Sequence, residues 1–165
     1  MSFQVYSQRM IGQKAPNWDI AYWIDGQGAE TQVNLSDYNN KVVYLLAFQS
    51  WCPGCHSKGF PTLKAIKDKY KDQQDVEFLV VQTVFEGHGS NTVEKLKSTQ
   101  KKYELDIPFG HDPGTHSTYP DLMTKYQTGG TPWVIIIDKE GVIRYSHFHI
   151  EERQASNLLD NLLEG

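Results

Sequence analysis

Cys52 and Cys55 are the only cysteines among 165 residues, and they form one C-x-x-C. A thiolate attacks a disulfide sulfur to give a mixed disulfide, which a second nearby thiol can resolve. A spacing of three residues puts the second sulfur on the same helical face, one turn deeper. Cys52 follows an apolar run and opens a predicted helix, where free backbone N–H groups and the positive end of the helix dipole favour a thiolate. Pro53 suits the first helical turn because its missing N–H would have no partner there. The expected pair is an exposed, attacking Cys52 and a sheltered, resolving Cys55, with the Cys52 pKa lowered into the range of roughly 3.5–7.5. A disulfide across so short a loop removes little unfolded-chain entropy, so stapling explains the pair poorly. Two inert buried thiols are the bland alternative. Cys52-Pro53-Gly54-Cys55-His56 also matches the C-x-x-C-H haem-attachment pattern. Zinc would need about four ligands, drawn from His56 and a convergence of His88, His111, His116, His147 and His149.

The neighbours of the pair carry two readings each. His56, four residues after Cys52, either stabilises the thiolate or faces solvent. Trp51 either screens the sulfurs and offers a substrate platform or packs in the core. Glu86 and His88 follow a second predicted strand, where sheet enzymes place functional groups, and are candidates for proton transfer. Lys58 reads as surface. Thr131-Pro132 precedes an apolar strand. As a cis bond it would make a tight turn that leaves the Thr131 backbone free for an extended peptide; as a trans bond it is an ordinary turn.

The elements that must position these residues alternate. Val42–Phe48, VVYLLAF, is a continuous apolar run of the kind buried on both faces of a central strand. After SWCPGC, Phe60, Leu63, Ile66 and Tyr70 recur at helical intervals. Pro61 falls inside that pattern and should bend or break the helix. A strand is expected over 76–84, a helix over 92–103 with Asn91 as cap and Glu94 completing a capping box, and a short strand with loops over 104–116. A small helix over 117–126, strands over 133–137 and 142–148 and a helix over 151–163 complete the chain. Upstream, the run from Trp18 and residues 30–35 suggest a hairpin, followed by a helical turn capped by Ser36. Residues 1–15 suggest an arm or a short edge strand. This order demands a layered sheet with helices on both faces, one domain over 1–165 with an N-terminal arm over 1–11.

Composition narrows the class. Sixteen Lys plus Arg against 20 Asp plus Glu give a net charge of -4, which argues against charge-driven nucleic-acid binding. No run approaches the roughly 18 apolar residues of a membrane helix. The first 18 residues lack an apolar stretch followed by a cleavage site, so a cytoplasmic protein is expected, or an exported one if a leader has been removed.

FQSWCPGCHSKGFPTL and GGTPWVIIIDKEGVI together resemble the thioredoxin superfamily, in particular the redoxin branch that holds the TlpA/ResA-like thiol-disulfide oxidoreductases and the peroxiredoxins. The likeness starts with G-x-x-A-P-x-W at Gly12, Ala15, Pro16 and Trp18 and includes W-C-x-x-C at Trp51, Cys52 and Cys55. It implies a thioredoxin-like three-layer α/β/α fold with a mixed central sheet, an N-terminal hairpin and an extra strand and helix between about 76 and 103. It implies that Cys52 attacks and Cys55 resolves; Trp51, Pro53, Gly54, His56 and Glu86 are the candidate supporting residues by position, with Glu86 the candidate to help deprotonate Cys55. Thr131-Pro132 is then the cis-proline turn, and Thr131, Pro132 and Trp133 meet substrate. The implied partners are protein or small-molecule thiols and disulfides and an electron-donating reductase system, with no cofactor, nucleic acid or membrane.

Departures from the resemblance matter as well. The buried aspartate that thioredoxins place six residues before the attacking cysteine is Leu46 here, and the helix proline falls nine rather than eight residues beyond Cys52. ResA-like proteins are exported, which conflicts with the reading of the N-terminus. The proline and threonine that peroxiredoxins carry before their cysteine correspond to Leu45 and Gln49, and Arg9, Arg144 and Arg153 are the only arginines. A thiol peroxidase working through Cys52 sulfenic acid and a non-catalytic redox sensor or binding module are the alternatives to dithiol exchange. Pro53-Gly54 does not fix the direction of exchange, since C-x-x-C proteins span roughly -270 to -120 mV.

Overall fold

The computed structural model describes residues 9–115 and 117–165. Val42–Phe48 forms β3, with every residue buried, because it lies inside the sheet and is covered on both faces. Parallel partners β4 (Val76–Val84) and β5 (Phe109–Pro113) extend the sheet on one side. On the other side lie antiparallel β6 (Trp133–Ile137) and β7 (Ile143–Phe148). A hairpin of β1 (Tyr22–Ile24) and β2 (Glu30–Thr31) pairs with β5, giving the order β2-β1-β5-β4-β3-β6-β7.

The alternation of β3 sorts its side chains into two cores. Val42, Tyr44, Leu46 and Phe48 pack with α1 (Phe60–Lys69), α2 (Val93–Lys102) and α4 (Glu152–Glu164). Val43, Leu45 and Ala47 pack with Leu122 and Tyr126 of α3 (Asp121–Tyr126) and with Trp18 and Trp23. The result is a three-layer α/β/α fold with a mixed sheet. No helix among the described residues is long and apolar enough to cross a membrane.

Local chemistry shifts several boundaries. The run from Trp18 enters the sheet only at Tyr22, because Trp18 and Ile20 turn into the core while the Asp19 N–H donates to the Asp121 carboxylate at 2.7 Å. The returning strand stops at Thr31, well short of residue 35. Ser36 lies inside the 3-10 turn Leu35–Tyr38, and Asp37 accepts the Asn34 N–H at 2.8 Å instead. Thr92, rather than Asn91, caps α2 by accepting the Lys95 N–H at 3.2 Å. The small helix begins at Asp121, four residues later than expected, where Asp112 accepts the N–H groups of Asp121 and Leu122 at 3.1 and 2.9 Å. Residues 1–8 of the expected arm lie outside the described residues, while Lys14 bridges to Val142 alongside β7.

Candidate active site

Cys52 stands at the junction of the β3 end and the following helix. Its backbone carbonyl accepts the His56 N–H at 3.4 Å, and its Sγ accepts the Cys55 N–H at 3.2 Å. A side-chain acceptor on the third helical N–H is the geometry of an N-cap, so Cys52 caps the helix with sulfur where Ser or Asp would use oxygen. Pro53 then falls at the first helical position and leaves no N–H unpaired. Both the cap bond and the helix dipole favour negative charge on Cys52 Sγ. Cys52 and Cys55 are disulfide-bonded, with Cα atoms 5.3 Å apart. The contrast in exposure is narrower than expected: Cys52 is 4% exposed and Cys55 fully buried.

The displaced proline is accommodated by the backbone. Cys55–Gly59 is a π-helical turn in which the Phe60 N–H bonds the Cys55 carbonyl, five residues back. A π turn holds one more residue than an α turn. The extra residue before Pro61 is therefore absorbed in a single wide turn, and Phe60–Lys69 continues as regular helix, where a bend or break was expected. Gly59 in that turn faces Pro132: a Cβ there would lie 3.1 Å from Pro132 Cβ and 3.5 Å from Leu46. A Cβ on Gly54 would meet the same proline ring at 3.3 Å. Pro132 is thus seated between two glycines, and the Thr131–Pro132 bond is cis. Pro132 is buried and Thr131 half-buried. Trp133 is a core residue, 1% exposed, with its indole N–H donating to Ser146 Oγ at 3.0 Å.

His56 matches neither sequence reading. Its Nε2 lies 2.7 Å from the Ser50 carbonyl and its Nδ1 2.5 Å from the Tyr103 hydroxyl. A carbonyl only accepts, so Nε2 carries a hydrogen, while Nδ1 pairs with the Tyr103 hydroxyl. Both nitrogens are thereby engaged away from the sulfurs. Burial pushes the Tyr103 phenol up, which keeps it a donor. Tyr103 also stacks on Phe60, with centroids 4.3 Å apart. His56 is a brace between the segment before Cys52 and α2.

Glu86 is exposed. Its backbone N–H reaches Gln49 Oε1 at 3.5 Å, and its side chain lines an apolar pocket of about 480 Å³ together with Trp51, Phe85, Thr131 and Phe148. Trp51 is 45% exposed, which excludes the core-packing reading. His88 Nε2 lies 3.2 Å from the Gly114 carbonyl. Among the described residues no three His, Cys, Asp or Glu side chains gather as a metal site; His116 lies outside them.

Asn91 is the residue that sequence reasoning misassigned. It is 2% exposed. Its Oδ1 accepts the Ser50 N–H at 2.6 Å and the Ser50 O–H at 2.8 Å. Its Nδ2 donates to the Glu86 and Gly87 carbonyls at 3.2 and 2.9 Å. One amide thus ties the segment before Cys52 to the loop after β4.

The redoxin family profile matches residues 10–163. The chain is 28% identical over 134 residues to the thiol-disulfide oxidoreductase ResA of Geobacillus kaustophilus, covering 81% of this chain and 67% of the relative. Among solved structures, the thioredoxin-like superfamily protein SPOA0173 superposes with a TM-score of 0.83 at 33% identity, covering 92% of this chain and 97% of that one. A thiol-disulfide isomerase from Corynebacterium glutamicum gives a TM-score of 0.78 at 29% identity, covering 92% and 97%. These likenesses overturn the cytoplasmic expectation, because the ResA relatives are extracytoplasmic oxidoreductases. That expectation rested on the first residues of the chain, and where a chain begins carries no information on export.

Proposed function

The chain belongs to the redoxin family, and on that premise we propose that Cys52 is its attacking thiol and Cys55 its resolving thiol. The protein is a thiol-disulfide oxidoreductase that works through a cysteine pair. The observation that carries the assignment is the bond from the Cys55 N–H to Cys52 Sγ at the helix start. Once the disulfide is reduced, the same N–H is placed to stabilise a thiolate on Cys52, with the second sulfur within reach of the first.

In the reducing direction the Cys52 thiolate attacks one sulfur of a substrate disulfide. The substrate S–S bond breaks, and its other sulfur leaves as a thiolate and takes up a proton. Cys55, deprotonated, then attacks Cys52 Sγ, forms the Cys52–Cys55 bond and expels the second substrate thiolate. Two electrons pass from the protein to the substrate, and a dithiol reductant restores the pair; the oxidising direction reverses each step. Thr131 flanks Pro132 outside any strand, and among the described residues its N–H and C=O have no backbone partner, which supports a role in pairing with an extended substrate. Trp51, Phe85 and Phe148 supply apolar contact beside it. Glu86 at the rim is our candidate to accept the Cys55 proton through water.

The test is trapping. With a disulfide-bonded protein substrate, Cys55→Ser should accumulate a mixed disulfide on Cys52, and Cys52→Ser should accumulate none. A stable adduct on Cys55 in the Cys52→Ser protein, with none on Cys52 in the other variant, would reverse the two roles.

A further inference from the structure

Trp51 lines two unlike surfaces. One is the apolar pocket beside Thr131. The other is a groove of about 530 Å³ whose rim carries the polar side chains of Ser50, His56, Ser90, Lys95, Ser98 and Lys102, a size suited to a small ligand. Ser50 and Trp51 are the two residues before Cys52, and His56 lies one turn after it, so the groove adjoins the segment that carries the reactive sulfur.

The charge of this groove runs against that of the chain. The net charge is -4, yet no Asp or Glu lines the groove. Lys95 and Lys102 stand two helical turns apart on one stripe of α2, with Ser98 and Thr99 between them. Both are exposed. Lys41, Lys67, Lys125 and Lys139 each pair with a carboxylate, but among the described residues Lys95 and Lys102 do not. Lys102 Nζ is held 5.3 Å from the centre of the Tyr103 ring, the ring whose hydroxyl fixes His56. The Ser98 and Thr99 hydroxyls donate to the Lys95 carbonyl at 3.0 and 2.7 Å, so their oxygens stay on the stripe.

We propose that this groove binds the carboxylate-bearing arm of a low-molecular-weight disulfide while one of its sulfurs faces Cys52, making small anionic disulfides substrates of the exchange. The proposal rests on the roles assigned to Cys52 and Cys55. A polypeptide would run along Thr131 and the apolar pocket; the lysine groove shares only Trp51 with that pocket, and no strand residue lines it. The reaction is the one already written: the reduced pair loses two electrons, the small disulfide becomes two thiols, and a carboxylate remains against Lys95 and Lys102 through the first step.

The experiment uses reduced protein and three small disulfides that differ in charge: dithiodiglycolate (dianionic), dithiodiethanol (neutral) and cystamine (dicationic). Single-turnover oxidation is followed by rapid alkylation and mass spectrometry, and each rate is divided by the rate of the same disulfide with dithiothreitol. At low ionic strength the normalised rates should favour dithiodiglycolate over dithiodiethanol by about tenfold, with cystamine slowest. Salt should erase the preference. The double variant Lys95→Gln/Lys102→Gln should lose it too, with the dithiodiethanol rate held within about twofold. Equal normalised rates for the three disulfides, or a preference unchanged in the double variant, overturn the groove and leave the Cys52 assignment standing. Preference for an acidic peptide disulfide without one for dithiodiglycolate overturns the small-molecule assignment. Failure of Cys52 to form an adduct even with dithiodiethanol in Cys55→Ser overturns both readings.

Discussion

Gly59 and Pro132 are in direct apposition: the glycine of the π turn leaves room for the proline beside the disulfide, and a Cβ there would come within 3.1 Å of the ring. Pro132 cannot retreat freely, since it is buried and Gly54 flanks the same ring. Gly59→Ala should therefore destabilise the protein by about 1–2 kcal/mol through overpacking, despite the better helix propensity of alanine. Urea midpoints of wild type and variant at constant m measure this. An unchanged or higher midpoint would mean that the turn beside the sulfurs is not closely packed.

Cys52 should react before Cys55. Cys52 retains 4% exposure and receives the helix-start N–H, while Cys55 is fully buried. In the reduced protein, limiting iodoacetamide near neutral pH should label Cys52 by at least about tenfold over Cys55, since the helix start favours a thiolate there and Cys55 is the more deeply buried. Peptide mapping reads the ratio, and equal labelling would remove the physical basis for the assigned roles.

Asn91 should behave as a positioning residue. Asn91→Ala leaves the part-buried Ser50 N–H and two part-buried loop carbonyls without their partner, and each such group costs toward the low end of about 1–3 kcal/mol. A loss of at least about 2 kcal/mol is expected on that scale. Hydrogen exchange separates local from global effects: the Ser50 amide, bonded to Asn91 at 2.6 Å, should speed up more than the β3 amides. Uniform acceleration across β3 would show that Asn91 serves only general stability.

Patterns that depend on one element were legible before the fold. VVYLLAF announced a covered strand because every residue is apolar, and Cys52-Pro53 announced a helix start because both residues suit its first turn. Residues whose partners are distant in sequence were misread. Asn91 carries the chemistry of a cap, and only the approach of Ser50, 41 positions away, diverts it. His56 reads against the nearby sulfurs, while one of its two partners, Tyr103, lies 47 positions on. Pro61 signalled a disturbed helix, but spacing alone does not distinguish a kink, a break and a π turn. The exposed pair Phe148 and Trp51 shares one pocket only because β7 returns beside β6.

Asp112 should give the fold an acid-side stability dependence. It lies on β5, 4% exposed, and its two oxygens accept N–H groups at the start of α3, the helix that leads into the Thr131–Pro132 turn. Burial pushes its carboxyl up to about 6; the bonds from Leu122 and Asp121 and the charge of Lys125 pull the other way, and the Asp121 charge adds to the rise. An unfolded aspartate titrates near about 3.9, so between these values the native state binds the extra proton. Stability must then fall as pH rises through that window. The favourable contribution is fully present below the unfolded value and gone above the folded one. Asp112→Asn removes the titration, so the stability of wild type relative to this variant should increase as pH drops from 7 toward 4.5. Urea midpoints at half-unit steps check it. A relative stability that stays flat across the window, or declines toward acid, would mean that the two N–H bonds outweigh burial and that Asp112 stays ionised.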